Sequence, residues 1–171
     1  MNTFFSSFVA FGADHAGYDL KNRLAEVMSS VSSDSGPGFV ARDFGTNGPD
    51  SVDYPDYAQR VCRAVIEGDA RFGVLVCGTG IGMSIAANRF PGIRCALIHD
   101  VTSARLTRLH NDANVIAFGA RLIGVDVALD ALRVFLTTPF EGGRHSRRLA
   151  KLNTLTAVHA DEHDLTSIGA T

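Results

Sequence analysis

The chemistry-bearing residues of this chain are concentrated in one run, Val74-Leu75-Val76-Cys77-Gly78-Thr79-Gly80-Ile81-Gly82. An apolar strand ends at a thiol, three glycines follow, and Ser84 to Arg89 reads as a helix. A strand-to-helix turn of this kind aims unpaired backbone N–H groups at one point, where a developing anion can be held. Amides from Gly78, Gly80 and Gly82 would also favour a thiolate at Cys77, which marks that sulfur as a base or nucleophile. Thr79 adds a hydroxyl to the same cradle. Cys62, in an apolar helix, and Cys95, in a strand, read instead as small buried hydrophobes.

Other residues fit this chemistry less specifically. Asp14 and His15 follow the first strand, where they could cap a helix or face a substrate. Lys21, on the helix that follows, is expected to be solvated. His110-Asn111-Asp112 ends a helix, a position that suits a histidine against the helix dipole, and His99 competes with His110 for an acid–base role. Arg144 and Arg148 are four residues apart, so a helix would put both guanidinium groups on one face, a natural grip for phosphate. The glycine run superficially resembles a dinucleotide fingerprint, with Asp100 as a ribose acid. Its third glycine, however, would fall at Met83, and the chain is too short for a second, substrate-binding domain.

These residues need a scaffold, and the chain alternates strand and helix. Strands are predicted at Phe8–Phe11, Val40–Phe44, Phe72–Val76, Ile93–Ile98 and Asn114–Phe118. Helices are predicted over Leu20–Met28, Tyr54–Glu67 (with Asp53 as N-cap), Ser84–Arg89, Thr102–Leu109 and Val125–Phe135. Continuously apolar strands joined by helices imply an α/β fold: a three-layer, Rossmann-like arrangement around about five parallel strands. Ligands in such sheets sit beyond the carboxyl ends of the strands. That rule gathers Asp14, His15, Cys77 to Gly82, His99 and Gly119 to Arg121. It leaves His110 and Asn111 elsewhere in the same subunit; if they join the site, a neighbouring subunit is expected to supply them.

At 171 residues and 46% apolar content, one domain over residues 1–158 is expected, with a flexible tail over 159–171. A net charge of −2 gives no reason to propose nucleic acid or an anionic membrane as partner. An odd count of three cysteines, without metal-ligand spacing, fits a reducing compartment. The opening residues lack the basic flank of a secretory signal, and no stretch is long and apolar enough to span a membrane, so a cytoplasmic protein is expected.

Six segments together resemble ribose-5-phosphate isomerase type B, a family that also includes galactose-6-phosphate isomerase subunits. They are Phe11-Gly12-Ala13-Asp14-His15-Ala16-Gly17, Val52-Asp53-Tyr54-Pro55-Asp56-Tyr57-Ala58, Cys77-Gly78-Thr79-Gly80-Ile81-Gly82, Ile85-Ala86-Ala87-Asn88-Arg89, His110-Asn111-Asp112-Ala113-Asn114 and Gly142-Gly143-Arg144-His145. The likeness spans about residues 8 to 152 in the same order. It implies interconversion of ribose 5-phosphate and ribulose 5-phosphate with neither metal nor organic cofactor, in a homodimer or dimer of dimers whose active sites are shared. By position, Cys77 matches the family's base, and Thr79 with the amides around Gly78, Gly80 and Gly82 its anion hole. His110 matches the group that opens the furanose ring. Asp14 matches a ring-opening or hydroxyl-binding partner and Asn111 a hydroxyl ligand. His15, Arg121, Arg144 and Arg148 match ligands of the phosphate or sugar. One branch of the family carries a glutamate base where this chain has Met83, so the chain resembles the cysteine branch. The serine-rich stretch from Ser29 to Gly38 departs from the family pattern in what reads as a surface loop. Two other functions remain open at this level: isomerisation of a hexose 6-phosphate or tetrose 4-phosphate, and non-catalytic binding of a phosphate or nucleotide.

Overall fold

The computed structural model describes residues 7–31 and 38–155. Its elements run β1 (Ser7–Ala13), α1 (Tyr18–Val31), β2 (Phe39–Asp43), α2 (Tyr54–Ile66), β3 (Phe72–Cys77), α3 (Ile81–Ala87), β4 (Cys95–Leu97), α4 (Val101–Asn111), β5 (Val115–Gly119), α5 (Val125–Thr137) and α6 (Arg144–Asn153). The five strands are all parallel, in the order β2-β1-β3-β5-β4. The tail expected over 159–171 lies outside the described residues. So does most of the serine-rich stretch, since α1 runs to Val31 and description resumes at residue 38.

The period-two geometry of a strand divides the apolar residues between two cores. Val9, Phe11 and Ala13 of β1, Val74 and Val76 of β3, and Ile116 and Phe118 of β5 face α1, α4 and α5, where Leu24, Ala104 and Phe135 are fully buried. The alternate positions, Ala10, Leu75, Cys77, Val115 and Ala117, face α2 and α3 and pack on Val61, Cys62, Met83 and Ala87. Covering both faces explains why these strands read as unbroken apolar runs. The chain is thus the three-layer α/β fold that its pattern implies.

The sheet order is what makes the site. After β1 the chain turns to the α1 layer, after β3 to the α2–α3 layer, and after β5 back to the layer of α1. Adjacent central strands therefore send their loops to opposite faces, which opens a crevice at the carboxyl ends of β1, β3 and β5. Among the described residues no helix is long and apolar enough to cross a membrane.

One sequence expectation is corrected. Lys21 is not solvated: its side chain is 1% exposed, and its ammonium donates to the Asp43 carboxylate and, at 3.0 Å, to the carbonyl of Thr46. It joins the first turns of α1 to the end of β2, and burial of so costly a group is compensated by those partners. Asp53 holds the N-cap position of α2 with extended backbone, but its side chain makes no capping bond; the proline at the start of the helix removes one of the amides a cap would serve.

Candidate active site

Cys77 is the last residue of β3, on the α2–α3 side, with 5% of its surface exposed. The amide of Gly80 donates to its sulfur at 3.1 Å. That contact requires the chain to curl back within three residues, and Gly80 does so with φ of +75°, a left-handed conformation open to glycine. α3 begins immediately afterwards, with Thr79 Oγ1 accepting from the amide of Ile81 at 3.3 Å. The threonine hydroxyl hydrogen is left to donate to something else.

Neighbouring loops lock this turn. The amides of Ala120 and Arg121 donate to the carbonyls of Cys77 and Gly78 at 2.9 and 3.0 Å. A β-carbon on Gly119 would stand 2.5 Å from the carbonyl oxygen of Thr79, and one on Gly17 would stand 2.4 Å from that of Val76. Only glycine lets the loops after β1, β3 and β5 converge so tightly. The guanidinium of Arg121 lies over Gly78, and the ring of Tyr54 lies over Gly82. Asp14 accepts the amide of Gly17 at 3.0 Å, so it does cap the turn into α1, and it does so from within the crevice. His15 Nδ1 accepts the amide of Val52 at 3.3 Å, which makes its neutral form the Nε2–H tautomer and presents a donor at the ring's far end. The other two thiols are inert by environment. Burial pushes Cys62 up to about 12 and also raises Cys95, with Cys62 adding to the rise.

A second cluster is built at the end of α4. The turn there is fixed by Asp112, left-handed at φ of 44°, whose carboxylate takes Arg108 at 2.8 Å and Arg94 at 2.9 Å. Arg94 also donates to the Asn111 carbonyl at 3.0 Å. On this turn His110 stacks against His145 of α6, ring centroids 4.4 Å apart and planes 9° from parallel. One oxygen of Glu141 lies 3.8 Å from the Nε2 atoms of both histidines. Arg144 Nε donates to His145 Nε2 at 3.3 Å, and Arg148 stands one turn further along α6. His145 is held below the usual histidine range, first by burial and then by the neighbouring His110, with Glu141 opposing. The donor atoms of His110, Glu141 and His145 fall within 4.8 Å of one another, a set of ligand types that zinc accepts. Arg144 already engages the Nε2 lone pair of His145.

Residues 9–152 match the sequence profile of the Ribose/Galactose Isomerase family. This chain belongs to that family. It is 40% identical over 147 residues to ribose-5-phosphate isomerase B of Escherichia coli, covering 86% of this chain and 95% of the other. It is 37% identical over 157 residues to D-erythrulose-4-phosphate isomerase of Pectobacterium atrosepticum, covering 91% and 97%. A crystal structure of ribose 5-phosphate isomerase from Thermotoga maritima superposes with a TM-score of 0.82 at 44% identity, over 87% of this chain and 99% of the other. The chain is therefore a sugar-phosphate isomerase with the type B ribose-5-phosphate isomerase fold.

Within this isomerase the structure gathers the expected residues into two groups rather than one. Asp14, His15, Cys77, Gly78, Thr79, Gly80, Gly82 and Arg121 meet at the carboxyl ends of the strands. His110, Asn111, Arg144 and Arg148 lie at the opposite, amino-terminal end of the strands, where α4 hands over to the start of β5. His99 lies past the end of β4, exposed, beside the α4 cap Asp100, whose carboxyl is lowered chiefly by the amide and hydroxyl of Ser103. Sequence reasoning missed Glu141, His145 and Tyr54 as site-building residues. His145 was within reach, as the neighbour of Arg144 and a member of the same family segment.

Proposed function

We propose that this isomerase interconverts ribose 5-phosphate and ribulose 5-phosphate through an enediolate, and that it works as a homodimer, or a dimer of dimers, with shared sites. His110 opens the furanose, taking the proton of the C1 hydroxyl and returning one to the ring oxygen as the C1–O bond breaks. Cys77, as thiolate, then takes the C2 hydrogen as a proton. Charge moves to the C1 oxygen, where Thr79 and the amides of the glycine loop receive it; the proton then returns at C1 while the O2 hydroxyl proton passes to O1, leaving the C2 ketone. Donors of this kind contribute on the order of 3 kcal/mol each, and a positioned base about 10²–10⁴-fold. Arg144, Arg148, Arg121 and His15 hold the phosphate and hydroxyls, and that binding fixes the reacting carbons at the sulfur.

The observation that carries the shared site is the placement of the two groups. Cys77 is in register with Gly119 at the end of β5, whereas His110 precedes Val115 at its start. The intervening strand alone spans roughly 13 Å at about 3.3 Å per residue. The ring oxygen and C2 of a furanose are both bonded to C1, so the two groups must act within ångströms of each other, and a second copy has to supply one of them. Ile81 and Ile85, one turn apart on α3 and both exposed beside the thiol loop, offer that copy an apolar surface.

The test has two arms. Assayed on ribose 5-phosphate, a hexose 6-phosphate and a tetrose 4-phosphate, the enzyme forms ketose fastest from ribose 5-phosphate. Cys77→Ala and His110→Ala homo-oligomers are each inactive, yet mixing and refolding them restores activity, because half of the sites in a hybrid dimer are intact. No recovery on mixing would overturn the shared site, and a faster tetrose or hexose would overturn the substrate.

A further inference from the structure

On that reading of His110, we infer that His145 is the positioning residue that ties the ring-opening histidine to the phosphate grip, its face carrying His110 and its Nε2 lone pair holding Arg144. Three observations converge on it. The ring is 3% exposed, beneath both functional residues. It stacks on His110 at 4.4 Å and 9°, an arrangement that fixes the plane of His110 and so the direction of its nitrogens. Its Nε2 accepts from Arg144 Nε at 3.3 Å, leaving the terminal nitrogens of the guanidinium to meet an anion.

Accepting at Nε2 obliges the His145 ring to be the neutral Nδ1–H tautomer. Burial, then His110 across on α4, and then Arg144 and Arg148 disfavour a positive charge on the ring, with the Glu141 carboxylate opposing them. The Glu141 carboxylate lies 3.8 Å from Nε2 of His110. A phosphate that draws Arg144 into place acts on the same ring that orients His110. Substrate grip and ring opening are set by one side chain.

The first test needs no variant. Nitrogen-15 spectra of the labelled full chain at pH 7 show His145 as neutral Nδ1–H; an Nε2–H tautomer or an imidazolium would overturn the inference. The second is a kinetic split on whichever sugar phosphate is turned over fastest. His145→Gln keeps an acceptor for Arg144 but removes the ring beneath His110, so kcat falls about tenfold while KM stays within about twofold. His145→Phe keeps the ring but loses the acceptor, so KM rises about tenfold with kcat little changed. Equal losses in the two variants would mean a merely structural ring and would overturn the proposal. Failure on ribose 5-phosphate overturns the substrate reading instead, and leaves the tautomer result standing.

Discussion

Gly119→Ala isolates the part of the site that sequence chemistry does not reveal, namely how closely the loop after β5 presses on the loop that holds the thiol. The added β-carbon would stand 2.5 Å from the Thr79 carbonyl oxygen, 2.6 Å from its carbon and 2.9 Å from its Cα. All three are backbone atoms, so no side chain can swing aside. Ordinary contact starts at 3.4 Å, and restoring it moves the Thr79 peptide by about 0.9 Å. Gly119 lacks the positive φ of Gly80, so the effect is steric and not torsional. Overpacking of this kind costs about 1–3 kcal/mol. At roughly 2–4 °C per kcal/mol for a chain of this size, the melting temperature falls by roughly 2–12 °C. A misplacement near 1 Å costs about 10²-fold in rate, because the amide on the sulfur and the anion cradle ride on the displaced peptide. Ketose formation from the preferred sugar phosphate gives kcat, and a thermal melt gives stability. Gly48→Ala, with nothing within 4 Å of its β-carbon, is the control. A Gly119→Ala enzyme with kcat within threefold of wild type and an unchanged melt would refute the claim that this close approach sets the cradle.

Cys77→Ala lowers turnover by at least about 10²-fold while calorimetry finds the affinity for the sugar phosphate within a few-fold, since the base is lost and the phosphate ligands remain; near-full turnover would remove the sulfur from the mechanism. Lys21→Met loses the bonds to Asp43 and Thr46 and lowers stability by about 1–3 kcal/mol, with the partial exposure of Asp43 keeping the loss below that of a fully buried pair. It is read as a lower urea midpoint at constant m-value, and an unchanged midpoint would return Lys21 to the surface. Acidification below the ordinary histidine value of 6.5 destabilises the fold through His145, whose proton affinity burial has lowered: the unfolded chain binds the proton first, so stability is full above that value and is lost as pH falls. Urea midpoints taken from pH 7 to 5 fall more steeply for wild type than for His145→Gln, and parallel slopes would refute this.

The fold was legible wherever burial on both faces enforced a pattern. The runs from Phe8 to Ala13 in β1 and through β3 and β5 carry no polar side chain because each face has its own helices. Boundaries slipped where a local device replaced that pattern. α3 begins at Ile81 and not at Ser84, because the left-handed Gly80 turns the chain straight into a helix. β4 is three residues long and not six, because side-chain amides take over its flanks: Asn114 accepts from the Arg94 amide at 2.8 Å, and Asn88 brackets Cys95 with bonds of 2.8 and 2.9 Å. Lys21 misled for a related reason. A lysine on a helix face reads as solvated unless its partner is known, and Asp43 lies 22 residues away, on the far side of a crossover.

The site was legible in a different way, through residue type more than position. A thiol before a glycine-rich turn is readable locally, because the Gly80 amide that donates to it lies three residues away. The histidine group does not, because its members come from α4, from the segment before α6 and from α6 itself, and only packing makes them neighbours. The rule that ligands sit at the carboxyl ends of strands placed the first group and excluded the second, and the structure keeps that exclusion. The chain holds His110, His145, Arg144 and Arg148 at one end of its strands and Cys77 with its glycine loop at the other. On the reading proposed above, in which His110 opens the sugar and Cys77 abstracts the proton, neither end is complete alone, and a second copy packed with its opposite end facing would supply what each lacks.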